Sequence, residues 1–157
     1  MQKPMIYIIE KNSNYRKVIK NYLAAFDFDV KTFSSPDECL ENISEYPDVI
    51  VLDFFFGDNT ISGFDFMKYY KKRNPTTRFI YLSSNNDINL ALDTLKLGAT
   101  DYIVKDIYAP DKLVQRILRL IEAKKVLKKA IRKQNTVLAL LGLSIFVFIT
   151  SIIFYTI

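Results

Sequence analysis

Six polar residues follow short β-rich runs of this sequence, at the points where those runs end. They are two acids, two hydroxyls and two lysines: Glu10, Asp53, Ser83, Ser84, Lys11 and Lys105. Paired carboxylates suit acid–base chemistry or a divalent cation. The 157 residues include no His and only one Cys, Cys39, which excludes His-based catalysis, the common zinc sites and an internal disulfide. Any chemistry therefore comes from carboxylates, lysines, hydroxyls or the backbone.

Short apolar runs alternate with helical patterns along the first two-thirds of the chain. The predicted strands are Met5–Ile9, Val30–Phe33, Asp48–Asp53, Arg78–Ser84 and Asp101–Lys105. The predicted helices begin after a Ser13 cap, at Ser35-Pro36, at Gly63, at Asp87 and at Pro110. This alternation predicts an α/β fold with a parallel sheet and helices on both faces. Because sites in such sheets form beyond the carboxyl ends of the strands, the six polar residues are expected to converge.

Charge is distributed unevenly around a formal net charge of +5. Residues 1–111 carry 13 Lys/Arg and 16 Asp/Glu, whereas residues 112–136 carry nine Lys/Arg and only Glu122. Residues 137–157 carry no charge, and 16 of these 21 residues are apolar. The sequence therefore divides into a domain over residues 1–121, a basic stem over residues 122–136 and an apolar segment over residues 137–157.

The apolar segment has the length and composition of a transmembrane helix. As a helix, its 21 residues span roughly 31 Å, about the thickness of the hydrocarbon core of a bilayer. Positive charge beside a membrane span stays in the cytoplasm. We therefore expect a single-pass, tail-anchored membrane protein, with residues 1–121 in the cytoplasm and the basic stem near anionic lipid headgroups.

The strand-end motifs resemble those of a known family. The runs IYIIEKN, VIVLDFFFG, FIYLSS and GATDYIVK are similar, in this order, to the motifs of the receiver domain of bacterial two-component response regulators. The resemblance covers residues 5 to about 121, roughly three-quarters of the chain. It implies a flavodoxin-like, doubly wound five-stranded sheet of order 2-1-3-4-5, here followed by a long basic helix and one transmembrane helix.

The resemblance also implies roles for four residues. Asp53 would accept a phosphoryl group from a histidine kinase or a phosphotransfer protein, and Lys105 would pair first with its carboxylate and then with the phosphoryl group. Ser83 would hydrogen-bond the phosphoryl group, and Tyr102 would change rotamer with it. Beyond self-phosphorylation and dephosphorylation at Asp53, no enzymatic activity is expected.

Magnesium is the cofactor that the resemblance implies, with Glu10, Asp53 and the backbone carbonyl of Phe55 as ligands. The family commonly has a second acid directly after Glu10, where this chain has Lys11. Lys11 brings the formal charge of the four pocket residues from the usual −2 to zero, so we expect magnesium binding to be weak or absent. Lys11 could replace the metal as a fixed charge, or Asp53 could simply be salt-bridged.

Two further departures affect the surroundings of the pocket. Asp106 follows Lys105 where the family usually has Pro, so the customary cis peptide bond is not expected. The stretch from Asp53 to Gly63 is about two residues longer than usual.

Three functions are consistent with these features. The first is a membrane-anchored, single-domain receiver in phosphorelay signalling, acting on an unknown effector through protein–protein interaction. The second is a phosphorylation-independent pseudo-receiver that localises a partner at the membrane, and the third is a membrane-tethered enzyme using Glu10 and Asp53. A heptad-like spacing in the stem allows dimerisation. Nucleic acid is not an expected partner, since the adjoining apolar segment accounts for the basic charge.

Overall fold

The computed structural model describes residues 3–43, 45–56 and 61–156. The chain forms two compact units, Met1–Leu118 and Arg119–Ile157. The boundary between them lies three residues before the boundary that we placed at residue 121 from charge and periodicity.

A five-stranded parallel sheet forms the centre of the first unit. Its strands are β1 (Met5–Ile9), β2 (Asp29–Phe33), β3 (Val49–Asp53), β4 (Arg78–Ser83) and β5 (Asp101–Val104). Their order is β2-β1-β3-β4-β5, so the predicted fold class and strand order are confirmed. Asp53 pairs with Leu82 and Ser83 pairs with Val104 across neighbouring strands. The register therefore brings the polar strand ends to one edge of the sheet.

Five helices follow the strands: α1 (Ser13–Ala24), α2 (Pro36–Glu41), α3 (Gly63–Arg73), α4 (Ile88–Lys96) and α5 (Ala109–Thr156). The prediction that Ser13 caps α1 is wrong, because Asn12 is the cap and its side chain accepts from two backbone N–H groups. Asn and Ser are about equally favourable helix caps, so residue type alone did not distinguish Asn12 from Ser13, and the backbone geometry decided which of them is the cap. Ser35 caps α2 as predicted, accepting from the N–H of Glu38 at 3.1 Å.

Two interior strands of the sheet, β1 and β3, are buried along their whole length. Such burial is typical of parallel strands covered on both faces. Aromatic side chains of α3 and β4 fill one side of the sheet: Phe66, Tyr70, Phe79 and Tyr81. The hydroxyl of Tyr81 donates to the carbonyl of Gly63 at 2.7 Å, and a Cβ on Gly63 would lie 3.2 Å from the Tyr81 ring. This close contact fixes the start of α3 and hence one end of the loop that follows Asp53.

The second unit is helical throughout residues 119–156. Among the described residues, α5 over Ala109–Ile152 is the one helix long and apolar enough to cross a membrane, by length and composition only. None of its apolar window is buried within the protein.

Candidate functional site

Three polar side chains from the ends of β1, β3 and β5 meet in one buried network. The Nζ atom of Lys105 lies 2.7 Å from Oε2 of Glu10 and 2.8 Å from Oδ1 of Asp53. Glu10 is 2% exposed and Asp53 is 8% exposed. One ammonium group is therefore shared by two carboxylates, and the network has a formal charge of −1.

Backbone groups hold the two carboxylates in place. Oε1 of Glu10 accepts from the N–H of Asn12 at 2.8 Å, so the turn that caps α1 also orients this acid. Oδ1 of Asp53 accepts from the N–H of Phe54 at 2.7 Å. Burial raises the pKa of Glu10, and the nearby charge of Asp53 adds to this, while the hydrogen bonds from Lys105 and Asn12 oppose it.

Ser83 and Tyr102 lie on a hydrogen-bonded path that runs through Asn85. Ser83 is fully buried, and its Oγ accepts from the N–H of Asn85 at 3.0 Å. The hydroxyl of the half-buried Tyr102 donates to the carbonyl of Asn85 at 2.8 Å. The hydroxyl of Ser83 is thus linked, through one backbone residue, to the aromatic side chain predicted to change rotamer.

Lys11 does not join the ion network. It is exposed, and within the described part of the chain its ammonium group makes no ion pair within 4 Å. Its backbone carbonyl accepts from the guanidinium of Arg16 at 3.3 Å, and that guanidinium also contacts the carbonyl of Glu10. Ser84 is likewise exposed, although it follows Ser83 directly. The sequence places Lys11 beside the pocket, and the structure directs its side chain toward solvent.

The residues that the structure describes offer few free oxygen ligands for a magnesium ion. The described residues contain no group of three or more acidic, His or Cys side chains that could hold a metal. Three of the four carboxylate oxygens of Glu10 and Asp53 already accept from Lys105 or from backbone N–H groups. Phe55, whose backbone carbonyl is the remaining predicted ligand, lies in the lengthened loop between Asp53 and Gly63, of which residues 57–60 lie outside the described residues.

Tyr15 is a pocket residue that the sequence did not reveal. The Nζ atom of Lys105 lies 5.1 Å from the centre of its ring, within the range of a cation–π contact. Its hydroxyl is buried and has no hydrogen-bond partner among the described residues. Burial, with the charges of Glu10, Asp106 and Asp53, raises the pKa of Tyr15 to about 12. Its helical spacing indicated only an apolar face of α1, and no local motif pointed to Lys105.

The arrangement suits a carboxylate that receives an anionic group. Asp53 retains some exposure, Lys105 offers a positive charge beside it, and Ser83 supplies a hydroxyl on the neighbouring strand. Lys105 is oriented by a hydrogen bond from its backbone N–H to the carbonyl of Ser83 at 2.8 Å. Its peptide bond to Asp106 is trans.

Comparisons with known proteins agree with this geometry. A response regulator NtrX-like protein of Rickettsia conorii is 29% identical over 134 residues, which are 85% of this chain and 28% of that protein. CssR, a transcriptional regulatory protein of Bacillus subtilis, is 26% identical over 74% of this chain and 51% of its own length. The chain therefore spans about a quarter to a half of these relatives.

Among solved structures, the BeF3-activated receiver domain of DrrB, a Thermotoga maritima protein, is 28% identical. The match has a TM-score of 0.69 and covers 77% of this chain and 99% of the DrrB domain. A receiver domain protein from Clostridium thermocellum is 29% identical with a TM-score of 0.68, over 79% and 98% of the two chains. The response regulator receiver domain family itself matches residues 6–118. Since the match, the strand order and the assembled strand-end residues all agree, this chain belongs to the receiver domain family of phosphorelay response regulators.

Proposed function

We propose that this protein is a membrane-anchored receiver that accepts a phosphoryl group on Asp53 and acts through protein–protein interaction. The observation that supports it most directly is the lysine shared by Glu10 and Asp53, at 2.7 Å and 2.8 Å. The phosphoryl donor is a histidine kinase or a phosphotransfer protein, and the effector is a further protein. The reaction at Asp53 is the only chemistry proposed for the chain.

In the proposed reaction, a carboxylate oxygen of Asp53 attacks the phosphorus of a phosphohistidine. A P–O bond forms and the P–N bond breaks, with the electron pair passing to the imidazole nitrogen. Lys105, already 2.8 Å from Asp53, balances the added negative charge, and Ser83 donates a hydrogen bond to a phosphoryl oxygen. Because the described residues offer few free oxygen ligands, we assign no step to magnesium and expect slow phosphorylation.

The membrane part of the proposal is supported by α5. Residues 137–156 continue the helix with uncharged and mostly apolar side chains. Six basic residues precede them, and positive charge beside a span favours the cytoplasmic side: Lys124, Lys125, Lys128, Lys129, Arg132 and Lys133. We propose a single pass through the bacterial inner membrane, with the receiver domain in the cytoplasm and the basic stem attracted to anionic lipids.

Lys11 favours a second candidate, a pseudo-receiver that localises a partner at the membrane without phosphorylation. An exposed lysine stands where the family commonly has its second acid, and Asp53 is already paired with Lys105. In this candidate, the ion network serves the fold and the domain recognises its partner constitutively.

Phosphoryl uptake separates the two candidates. The full chain in detergent is treated with acetyl phosphate, with and without magnesium, and its intact mass is measured. We expect the mass of one phosphoryl group, lost in Asp53→Asn and retained in the matched control Asp93→Asn, which changes an exposed acid of α4. If no mass is gained after prolonged treatment, phosphoryl acceptance is refuted and the pseudo-receiver stands.

Fractionation of cells tests the membrane part separately. The full chain should sediment with membranes and resist high-salt extraction, whereas deletion of residues 137–157 should release a folded receiver domain. Protease added outside intact spheroplasts should leave the receiver domain uncut. Extraction of the full chain by salt alone would contradict the anchor.

A further inference from the structure

The basic stem and the apolar segment form one uninterrupted helix. All residues from Arg119 to Thr156 are helical. At a rise of 1.5 Å per residue, Leu127 and Ile131 lie roughly 15 Å and 9 Å before the start of the apolar segment at residue 137. If residues 137–156 cross the membrane, as proposed above, these two side chains extend into water and cannot lie flat on the lipid surface.

An apolar stripe runs along this helix through both parts. Its members alternate at spacings of four and three residues: Leu127, Ile131, Gln134, Leu138, Leu141 and Ile145. This spacing is the heptad seam of paired helices. The five aliphatic members are between 48% and 59% exposed, so no other described part of the chain covers them. Gln134 is the one polar member and lies next to the start of the apolar segment.

Most of the stem's positive charge faces away from this seam. At roughly 100° per residue, four basic residues lie more than about 120° from the middle of the seam: Lys125, Lys129, Arg132 and Lys133. Lys124 and Lys128 flank the seam. Residues Ala123 and Ala130, on the opposite flank, are small and uncharged. A second helix can therefore approach the seam without bringing the main basic faces together.

We infer that the seam pairs with the same seam of a second copy, as a parallel two-helix coil. The membrane anchor would give every copy the same orientation and the same depth, so identical seams meet in register. In that register each Gln134 faces another Gln134, and two primary amides can donate to and accept from each other. Polar seam residues fix register, and Gln side chains hydrogen-bond between membrane helices. A partner without a matching polar group would leave this amide to hydrogen-bond with water.

Cysteine cross-linking tests the pairing in membrane vesicles that contain the full chain. Single cysteines replace seam residues in Leu127→Cys, Ile131→Cys and Gln134→Cys, and far-side residues in Lys129→Cys and Lys133→Cys. The unsubstituted chain is the background control, because its Cys39 is fully buried. After mild oxidation, the mass of each adduct is compared with twice the chain mass.

We expect seam cysteines to give about tenfold more dimer than far-side cysteines, since a disulfide requires Cα atoms within roughly 7 Å. In the Gln134→Cys chain, adding Leu127→Ala and Ile131→Ala should reduce the dimer several-fold, whereas the matched pair Lys129→Ala and Lys133→Ala should not. Equal cross-linking on both faces, far-side cross-linking, or an adduct of another mass would overturn the pairing. The cross-linking pattern is measured both in the membrane fraction and in the supernatant. A chain found in the supernatant refutes the membrane anchor, whereas the cross-linking pattern still tests the pairing of the helices.

Discussion

Replacing Lys11 by Asp should create a magnesium site in the pocket. The substitution places a carboxylate directly after Glu10, near the network of Glu10, Asp53 and Lys105. Because position 11 is exposed, the dielectric constant of bulk water applies to this charge. The attraction between the new carboxylate and a divalent ion about 4 Å away is then worth about 2 kcal/mol. Removing the ammonium group of Lys11, which extends into solvent, contributes a smaller gain in magnesium binding. We therefore expect about 2–3 kcal/mol in total, or roughly 30- to 150-fold in Kd.

Thermal unfolding of the full chain in detergent, followed during a magnesium titration, measures this gain. At about 100 times Kd, an ion that binds only the folded state stabilises it by about 2.7 kcal/mol. For a unit of this size, that corresponds to a Tm increase of about 10 °C for Lys11→Asp. Without magnesium, the same variant should be less stable than the wild type, because three carboxylates crowd one site.

Two controls identify the source of the effect. Lys20→Asp makes the same charge change on an exposed residue further along α1, and it should leave the magnesium response at the level of the wild type. Adding Asp53→Asn to Lys11→Asp should reduce the response. A wild type that responds as strongly as Lys11→Asp would show that Lys11 has no influence on metal binding.

Four other substitutions or treatments test contacts of the first unit. Lys105→Met should destabilise this unit by about 3 kcal/mol at pH 7, because two buried carboxylates lose their shared cation. The pKa of Glu10, already raised, would rise further, so Glu10 becomes protonated as the pH falls. Urea denaturation should therefore show a smaller loss of stability at pH 5 than at pH 7. Tyr15→Phe should keep or increase stability by up to about 1 kcal/mol, since it removes an unpaired buried hydroxyl, and a clear loss in the same assay would indicate a partner. Cys39 should resist iodoacetamide in the native state and react after denaturation, because burial raises its pKa to about 12; rapid native alkylation would contradict its burial. Gly98→Ala should lower the free energy of unfolding by about 1–2 kcal/mol and therefore lower Tm, since Gly98 has a φ of 104° and the added Cβ would lie 3.0 Å from Lys71 Nζ. An unchanged Tm would argue against that backbone conformation.

The parts of the fold that the sequence predicted are those governed by local patterns. The strand Met5–Ile9 was predicted with the bounds that the structure has, and the start of α3 at Gly63 was also predicted correctly. The alternation of strands and helices then predicted a parallel sheet, and the family resemblance implied its strand order. Where the local signal was weaker, the prediction was wrong by one residue. Ser13 was predicted as the cap of α1, but the neighbouring Asn12 forms the capping hydrogen bonds.

The network of the pocket was predictable only in part. Convergence of Glu10, Asp53 and Lys105 follows from their positions after parallel strands. The direction of a long side chain does not follow from position, and for this reason the sequence could not show that Lys11 extends into solvent. Tyr15 reaches Lys105 from a helix, and Asn85 links Ser83 to Tyr102 through its backbone N–H and carbonyl, which every residue type except Pro possesses.

The path from Ser83 through Asn85 to Tyr102 has a thermodynamic consequence. The two hydrogen bonds, 3.0 Å and 2.8 Å long, join a buried hydroxyl to a side chain at the surface of β5. If a phosphoryl group at Asp53 shifts this path and thereby strengthens binding of a protein over Tyr102, that protein must stabilise the phosphoryl group by the same factor. Such reciprocity means that a bound effector would raise the equilibrium occupancy of the phosphoryl group on Asp53, and phosphorylation measured without the effector would understate that occupancy.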